Sequence, residues 1–137
     1  MLFALTSCKT NKADVYNDPI QFQKSEFESL MELAQTEQKP LFVDFYADWC
    51  LPCKMMDKEV FNDPEVSAFF EENFINVKID AERGQGPNLA VMYEIKGYPT
   101  LMFMNPEGRE LIRQEGMAYQ TELLKLAEQA IYLFENQ

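Results

Sequence analysis

Apolar residues recur with helical spacing near both ends of the chain. Near the start, they predict a helix that begins near Ser25 and ends before Pro40. Ser25 and Glu28 fit the capping-box pattern, in which two side chains satisfy free backbone N–H groups at a helix start. Near the end, the same spacing predicts a last helix from about Gln120 to Phe134. The apolar positions are Phe27, Leu30, Met31 and Ala34 in the first helix, and Leu123, Leu124, Ala127, Ala130 and Ile131 in the last.

Short apolar runs in the middle of the chain predict strands. Residues 41–47 read LFVDFYA, a run rich in aromatic and β-branched residues, which predicts a central strand covered on both faces. Residues 74–80, FINVKID, predict a second strand. Two further runs flank NPEG, residues 105–108, where Pro and Gly favour a turn, and they predict a β-hairpin.

Helix start signals lie between these runs. One helix is predicted from about Cys50, and another from Pro64 with Asn62 or Asp63 as its cap. Pro87 predicts the start of a further short helix. The element order α, β, α, α, β, α, β, β, α predicts an α/β sandwich with a mixed central sheet and helices on both faces.

Composition and charge narrow the classes of partner. The 137 residues, 47% of them hydrophobic, suit one domain with one core. The chain has 23 acidic and 12 basic residues and a formal net charge of −11, which disfavours nucleic acid and anionic membranes as electrostatic partners. No run of apolar residues in the sequence is long enough to cross a bilayer.

The first eight residues, MLFALTSC, are apolar and end in small residues before Cys8. They lack a basic start, but they resemble the end of a bacterial lipoprotein signal, whose final cysteine carries the lipid. On this interpretation the natural start lies upstream of Met1, Cys8 is a lipid anchor, and the protein works outside the cytoplasm. The alternative is a chance apolar segment with one spare thiol. Residues 1–22 are predicted to be a signal remnant or tether, and residues 23–137 the folded domain.

The chemistry of the chain is concentrated in ADWCLPCK, which contains Cys50 and Cys53. A structural zinc site needs about four Cys or His ligands, and the sequence has no His and only one further Cys, Cys8. A purely structural disulfide is also a poor explanation, because closing so short a loop stabilises by roughly 2 kcal/mol on the chain-entropy model. A thiol pair that exchanges electrons remains.

Local features favour this redox interpretation. Cys50 is predicted at a helix start, where free N–H groups and the helix dipole stabilise a thiolate, the reactive form of the thiol. Pro52 keeps the turn rigid. Lys54, one turn later, is either a nearby positive charge or, as the preferred alternative, a solvated surface lysine. Asp44 interrupts an apolar strand, so it is a candidate buried proton acceptor for Cys53. The alternative for Asp44 is a partly exposed aspartate at the end of the strand.

The segments FVDFYADWCLPCK and GYPT, residues 97–100, resemble the thioredoxin superfamily. Within it, YADWC and KEVFNDPEV, residues 58–66, look most similar to the C-terminal periplasmic domain of DsbD and to stand-alone thioredoxin-like lipoproteins. The resemblance covers about residues 25 to 135. It implies a thioredoxin-like three-layer α/β/α sandwich with an extra N-terminal helix.

The resemblance also implies roles for individual residues. Cys50 would be the attacking thiolate, Cys53 the resolving thiol, and Asp44 the buried acid or base. The residues expected to contact substrate are Trp49, Leu51, Pro52, Tyr98 and Pro99, with Pro99 in the cis form facing the disulfide. Leu51 departs from the glycine common in thioredoxins, which bears on redox potential and partner choice.

Together these features predict a monomeric thiol-disulfide oxidoreductase that reduces protein disulfides outside the cytoplasm without a metal or organic cofactor. Its electrons would come from another protein, such as a membrane thiol transporter of the DsbD type. Two alternatives stay open: a binding module of the same fold with idle cysteines, and a copper-handling thiol protein. Met55 and Met56 near the cysteines suit a soft metal, but core packing explains them as well.

Overall fold

A four-stranded mixed sheet with strand order β2-β1-β3-β4 forms the centre of the computed structural model, which describes residues 19–137. The strands are β1 (Leu41–Tyr46), β2 (Ile75–Asp80), β3 (Thr100–Met104) and β4 (Glu110–Glu115). β1 pairs in parallel with β2 and antiparallel with β3, and β3 and β4 form an antiparallel pair joined by the predicted turn. The predicted mixed sheet and hairpin are therefore confirmed.

Residues 19–137 contain five α-helices: α1 (Phe27–Glu37), α2 (Leu51–Met55), α3 (Pro64–Asn73), α4 (Gly86–Met92) and α5 (Gln120–Glu135). α2 continues directly into a π-helical turn, Met56–Val60. One sheet face packs against α1 and α4, and the other against α3, α5 and the π-helical turn. This arrangement confirms the predicted three-layer sandwich and the predicted order of elements.

The strand β1 lies at the centre of both cores, as its composition predicts. Its first five residues are buried, and they contribute alternately to the two faces of the sheet. The ring of Phe42 lies 4.8 Å from that of Phe70 on α3 and 4.9 Å from that of Phe103 on β3, measured between ring centroids. This apolar setting makes a charged side chain in β1 costly unless it has a partner.

The two predicted helix caps have different outcomes. Asp63 caps α3, because its side chain accepts hydrogen bonds from the N–H groups of Glu65 and Val66. The Ser25–Glu28 capping box is wrong: α1 begins at Phe27, and no side chain of its own caps it. Instead, the N–H of Phe27 donates to Oε1 of Gln85 at 2.8 Å, so a distant residue satisfies the free helix donor.

The folded chain extends into the segment predicted to be a tether. Ile20 is buried in the core, and the ring of Phe22 packs edge-on against Phe61 with centroids 5.0 Å apart. Gln23, the first residue of the predicted domain, forms a parallel bridge with Val77 at the outer edge of β2. Two isolated apolar residues show no periodicity in the sequence, so only the structure shows this packing. The remaining part of the predicted tether, including Cys8, lies outside the described residues.

None of the helices within residues 19–137 is both long enough and apolar enough to cross a membrane.

The hairpin turn is fixed by its side chains and by one glycine. The side-chain oxygen of Asn105 accepts hydrogen bonds from the N–H groups of Glu107 and Arg109. Gly108 has a φ of +81°, and a Cβ atom there would lie 2.9 Å from Sδ of Met31 and 3.0 Å from the hydroxyl of Tyr93. Glycine therefore allows the turn to pack closely against α1 and the end of α4.

Candidate functional site

Cys50 and Cys53 form a disulfide at the start of α2, with their Cα atoms 5.3 Å apart. Cys50 is the residue that caps the helix, as predicted, and its Sγ accepts a hydrogen bond from the N–H of Cys53 at 3.2 Å. Both cysteines are only 2% exposed. The same N–H would stabilise a Cys50 thiolate once the disulfide is reduced, because a hydrogen bond to the charged form favours ionisation.

An apolar rim formed by Trp49, Leu51 and Tyr98 flanks the disulfide. Trp49 is 67% exposed and Leu51 is 66% exposed. The ring of Trp49 meets that of Tyr98 edge-on at a centroid distance of 5.8 Å. Pro52 is also exposed, whereas Pro99 is buried and is joined to Tyr98 by a cis peptide bond. The rim offers a partner protein apolar surface beside the sulfur atoms.

Asp44 is buried in β1 and has a partner that the sequence analysis missed. The carboxylate is 1% exposed, which removes the alternative of a partly exposed aspartate. Lys78 lies opposite Asp44 in the register of β1 and β2, and its Nζ lies 2.9 Å from Oδ2 of Asp44. Among the described residues, no group forms a hydrogen bond with Oδ1 of Asp44.

Lys78 binds a second carboxylate and so links the strands to the cysteine-bearing helix. Its Nζ lies 2.7 Å from Oδ1 of Asp57, which is on the π-helical turn four residues after Cys53. Three aromatic rings surround the ammonium group, and the nearest, Tyr46, has its centroid 4.5 Å from Nζ. We call Asp44, Lys78 and Asp57 the charge cluster, in which Asp44 is buried, Lys78 is half-buried and Asp57 is exposed. It is held by β1, β2 and the helical segment together.

Burial and charge act in opposite directions on the pKa values of this cluster. Burial raises the pKa of Asp44, the positive charge of Lys78 opposes that rise, and the negative charge of Asp57 adds to it. Burial disfavours the charged form of Lys78, but its two carboxylate partners outweigh this effect and raise the pKa of Lys78. The carboxylates therefore keep Lys78 charged, and burial makes Asp44 a better proton acceptor than an ordinary aspartate.

The sequence carries no clear signal for the Asp44–Lys78 pair. Each residue is the fourth of its observed strand, and the register of β1 and β2 places them side by side, but Lys78 is the fifth residue of the predicted strand 74–80. Lys78 alone looks like the outward residue of a half-exposed strand. Asp57 has no signal either, because its side chain meets Lys78 only after the π-helical turn has formed.

A second set of contacts, also missed by the sequence analysis, joins the cysteine loop to the β2–α4 loop. Nε1 of Trp49 donates to Oε1 of Glu82 at 2.7 Å, and the neighbouring Asp48 forms an ion pair with Arg83. The β2–α4 loop closes tightly, since a Cβ atom on Gly86 would lie 1.6 Å from the carbonyl oxygen of Asp80. Glu82 thereby orients the most exposed ring of the apolar rim.

Across residues 19–137, no three His, Cys, Asp or Glu side chains come together in a group that could hold a metal ion. Lys54, which the sequence placed near the cysteines, is exposed on α2.

Comparisons with known proteins agree with this fold. Residues 21–106 match the thioredoxin-like family. The thiol:disulfide interchange protein DsbD of Salmonella typhimurium is 38% identical over 79 residues, which is 57% of this chain but 14% of that protein. The chain thus corresponds to about one seventh of the length of this relative.

Two solved structures are similar over most of the chain. The solution structure of a candidate disulphide-isomerase from Bacteroides thetaiotaomicron has a TM-score of 0.75 and 38% sequence identity, covering 83% of this chain and 94% of that one. The oxidised C-terminal domain of DsbD from Neisseria meningitidis has a TM-score of 0.67 and 26% identity, covering 80% and 99%. The fold, the bonded cysteine pair and the similarity to these proteins agree. The chain belongs to the thioredoxin-like family of thiol-disulfide oxidoreductases.

Proposed function

We propose that this protein is a disulfide reductase that acts on protein substrates outside the cytoplasm. The observation that carries the proposal is the Cys50–Cys53 pair at a helix start, beside the exposed ring of Trp49 and the half-buried ring of Tyr98. The exchange needs no group beyond the two thiols of the reduced protein and the disulfide of the substrate.

The reaction has two exchange steps. The Cys50 thiolate attacks one sulfur of the substrate disulfide, which forms a mixed disulfide and releases the other substrate sulfur as a thiolate. The Cys53 thiolate then attacks Sγ of Cys50, which releases the second substrate thiolate and leaves Cys50–Cys53 oxidised. Two electrons pass to the substrate, and the protons lost by the cysteine thiols balance those taken up by the released thiolates.

Asp44 is proposed to accept the proton of Cys53 during the second step. Support comes from its burial, its raised pKa and an Oδ1 atom that has no hydrogen-bond partner within the described residues. Lys78 and Asp57 are positioning residues, because they hold Asp44 relative to the helix that contains Cys53.

We expect Asp44→Asn to slow the release of substrate from the mixed disulfide by about 10²-fold, because an amide cannot accept the proton. Rapid-quench measurement of the mixed disulfide over time tests this. In the unchanged protein the release rate should rise with pH through a pKa above the ordinary aspartate value of 3.8. Asp44→Asn should lack that inflection.

Asp48→Asn is the matched control, since Asp48 is exposed and closer in sequence to the cysteines. Equal rates for both variants would contradict the role.

The direction of electron flow is a proposal that rests on the relatives. The similar chains include DsbD proteins described as thiol:disulfide interchange proteins. By analogy, the oxidised pair would be re-reduced by a membrane thiol transporter of the DsbD type. We also propose that the protein acts as a monomer.

An equilibrium redox titration of the Cys50–Cys53 pair tests this direction. A reductase should have a potential near that of thioredoxin, about −270 mV, and far from the oxidant DsbA at about −120 mV. The difference corresponds to roughly 7 kcal/mol for two electrons, so the two outcomes are well separated. A potential near the DsbA value would refute the reductase direction and leave the exchange chemistry intact.

Anchoring through Cys8 is a separate proposal, supported by the sequence LTSC and located outside the described residues. The protein produced with a complete lipoprotein signal should partition into the detergent phase of a Triton X-114 extraction, and Cys8→Ser should remain in the aqueous phase. Aqueous partitioning of both proteins would leave Cys8 as a spare thiol.

A further inference from the structure

A groove lies between α1 and α4, on the sheet face opposite α3 and α5. Its volume is about 440 Å³. Both apolar side chains and carboxylates line it. The apolar lining residues are Phe27, Met31, Leu89, Met92 and Tyr93, and the acidic ones are Glu26, Glu28 and Glu107. We call this feature the α1–α4 groove.

The floor of the groove is fixed before any partner arrives. The hydroxyl of Tyr93 donates to the carbonyl of Gly108 at 2.8 Å, and the ring of Phe27 meets that of Tyr93 edge-on at 6.1 Å. Gln85 joins the two walls, since it accepts from the N–H of Phe27 and donates to the carbonyl of Ser25. A preformed surface of this kind loses little entropy when it binds.

One apolar residue of the groove, Met92, is largely exposed to solvent. Met92 is 68% exposed although its neighbours Phe27 and Leu89 are buried. Met92 is distant in sequence from the cysteine pair, and neither the exchange chemistry nor the charge cluster uses it. A flexible methionine at the edge of an apolar surface adapts readily to different side chains of a partner.

Charge determines which partner fits. Glu26, Glu28 and Glu107 form no ion pair with any other residue in the range 19–137, and the groove lining contains no Lys or Arg. The net charge of −11 opposes occupation by a second copy of the chain. A basic partner would instead gain from charge complementarity at the rim.

We propose that the α1–α4 groove docks a polypeptide segment of a partner protein that inserts apolar side chains flanked by Lys or Arg. An amphipathic helix laid in an apolar groove is a recurring mode of peptide recognition, and here the carboxylates would select a basic one. The proposal goes beyond disulfide exchange, because the groove is lined by neither cysteine and would bind the segment whether the pair is oxidised or reduced.

A fluorescent amphipathic peptide of Leu and Lys, about 14 residues or four helical turns long, is the probe. Fluorescence anisotropy should show binding that weakens as salt is added, because exposed charges are screened. A matched peptide of Leu and Glu should bind far more weakly. Amide NMR shifts should change for α1, α4 and the hairpin turn. Absence of binding, or equal binding of the two peptides, would overturn the proposal.

Two neighbouring substitutions separate docking from general attraction. Met92→Lys adds a charge within the groove and should raise the Kd of the basic peptide by at least about tenfold. Val91→Lys adds the same charge on the same helix, but Val91 is 80% exposed and outside the lining, so it should change the Kd by less than about twofold. Equal losses in the two variants would refute docking in the groove. Both should melt at the temperature of the unchanged protein, because neither side chain is buried.

The cysteine site supplies the last control. Cys50→Ser should bind the basic peptide with an unchanged Kd, and Met92→Lys should reduce a model protein disulfide at the unchanged rate. A Cys50→Ser protein that loses peptide binding would place the probe at the cysteine site and overturn the proposal. If the unchanged protein proved to have no reductase activity, the peptide-binding result would still stand. Failure of the proposed function and failure of the docking proposal are therefore distinguishable.

Discussion

Replacing Cys50 with Ser is expected to abolish the reduction of protein disulfides, with a fall in rate of at least about 10³-fold. The reason is that a serine hydroxyl at the helix start cannot replace the thiolate as a nucleophile toward sulfur. Insulin reduction, followed by turbidity with a chemical reductant present, measures the loss. Cys8→Ser is the matched control and should retain full activity, because Cys8 has no proposed part in the exchange.

Replacing Cys53 with Ser should have a different result, because Cys50 still attacks but nothing displaces the product. Mixed disulfides through Cys50 should accumulate and survive non-reducing electrophoresis. A Cys50→Ser, Cys53→Ser double variant should trap nothing. If the single variant traps no substrate while the protein still binds partners, the cysteines are idle and the chain is a binding module of this fold.

The second large effect is expected from Lys78→Met, which should lower the free energy of unfolding by about 3–5 kcal/mol at neutral pH. The substitution leaves the Asp44 carboxylate buried without its cation, while the stem of Met fills part of the same space. Urea unfolding at neutral pH measures the change. Lys54→Met is the control, since Lys54 is exposed and forms no ion pair within residues 19–137.

The pH dependence of this loss has a definite sign. The positive charge of Lys78 lowers the pKa of Asp44. Without Lys78, the folded-state pKa of Asp44 should therefore rise further above the ordinary aspartate value of 3.8. A raised folded-state pKa favours the folded protein when the carboxyl is protonated, and that advantage is lost as pH rises through the folded-state value. Lys78→Met should therefore be least destabilising in acid. Adding Asp44→Asn should restore much of the stability at neutral pH. A loss that is independent of pH would show that packing, rather than charge, dominates.

The sequence predicted the elements that depend on local signals. The aromatic, β-branched run of β1 and the Asp63–Pro64 start of α3 are examples, because strand composition and helix caps act over a few neighbouring residues. Asp44 could be identified as buried for the same reason. The cysteine pair could be identified as a redox site because two cysteines at this spacing suit neither a zinc site nor a structural disulfide in this chain.

Contacts between distant segments were the part that could not be predicted. Gln85 satisfies the N-terminus of α1 in place of the predicted capping box, although 58 positions separate Gln85 and Phe27. Lys78 and Asp57 meet only when β2 and the π-helical turn are both in place. Ile20 packs on a core that the rest of the chain must build first. In each case the partner is chosen by the tertiary fold.

The bridge at Gln23 affects how the protein behaves at high concentration. Gln23 donates to the carbonyl of Asn76 and accepts from the N–H of Lys78, so it occupies hydrogen-bonding groups in the middle of the outer edge of β2. Free strand edges are templates for pairing between molecules and hence for aggregation. The opposite edge strand, β4, instead bears the charged residues Glu110, Arg113 and Glu115, which oppose such pairing. The short segment before α1 thus helps to keep the sheet from growing beyond one molecule.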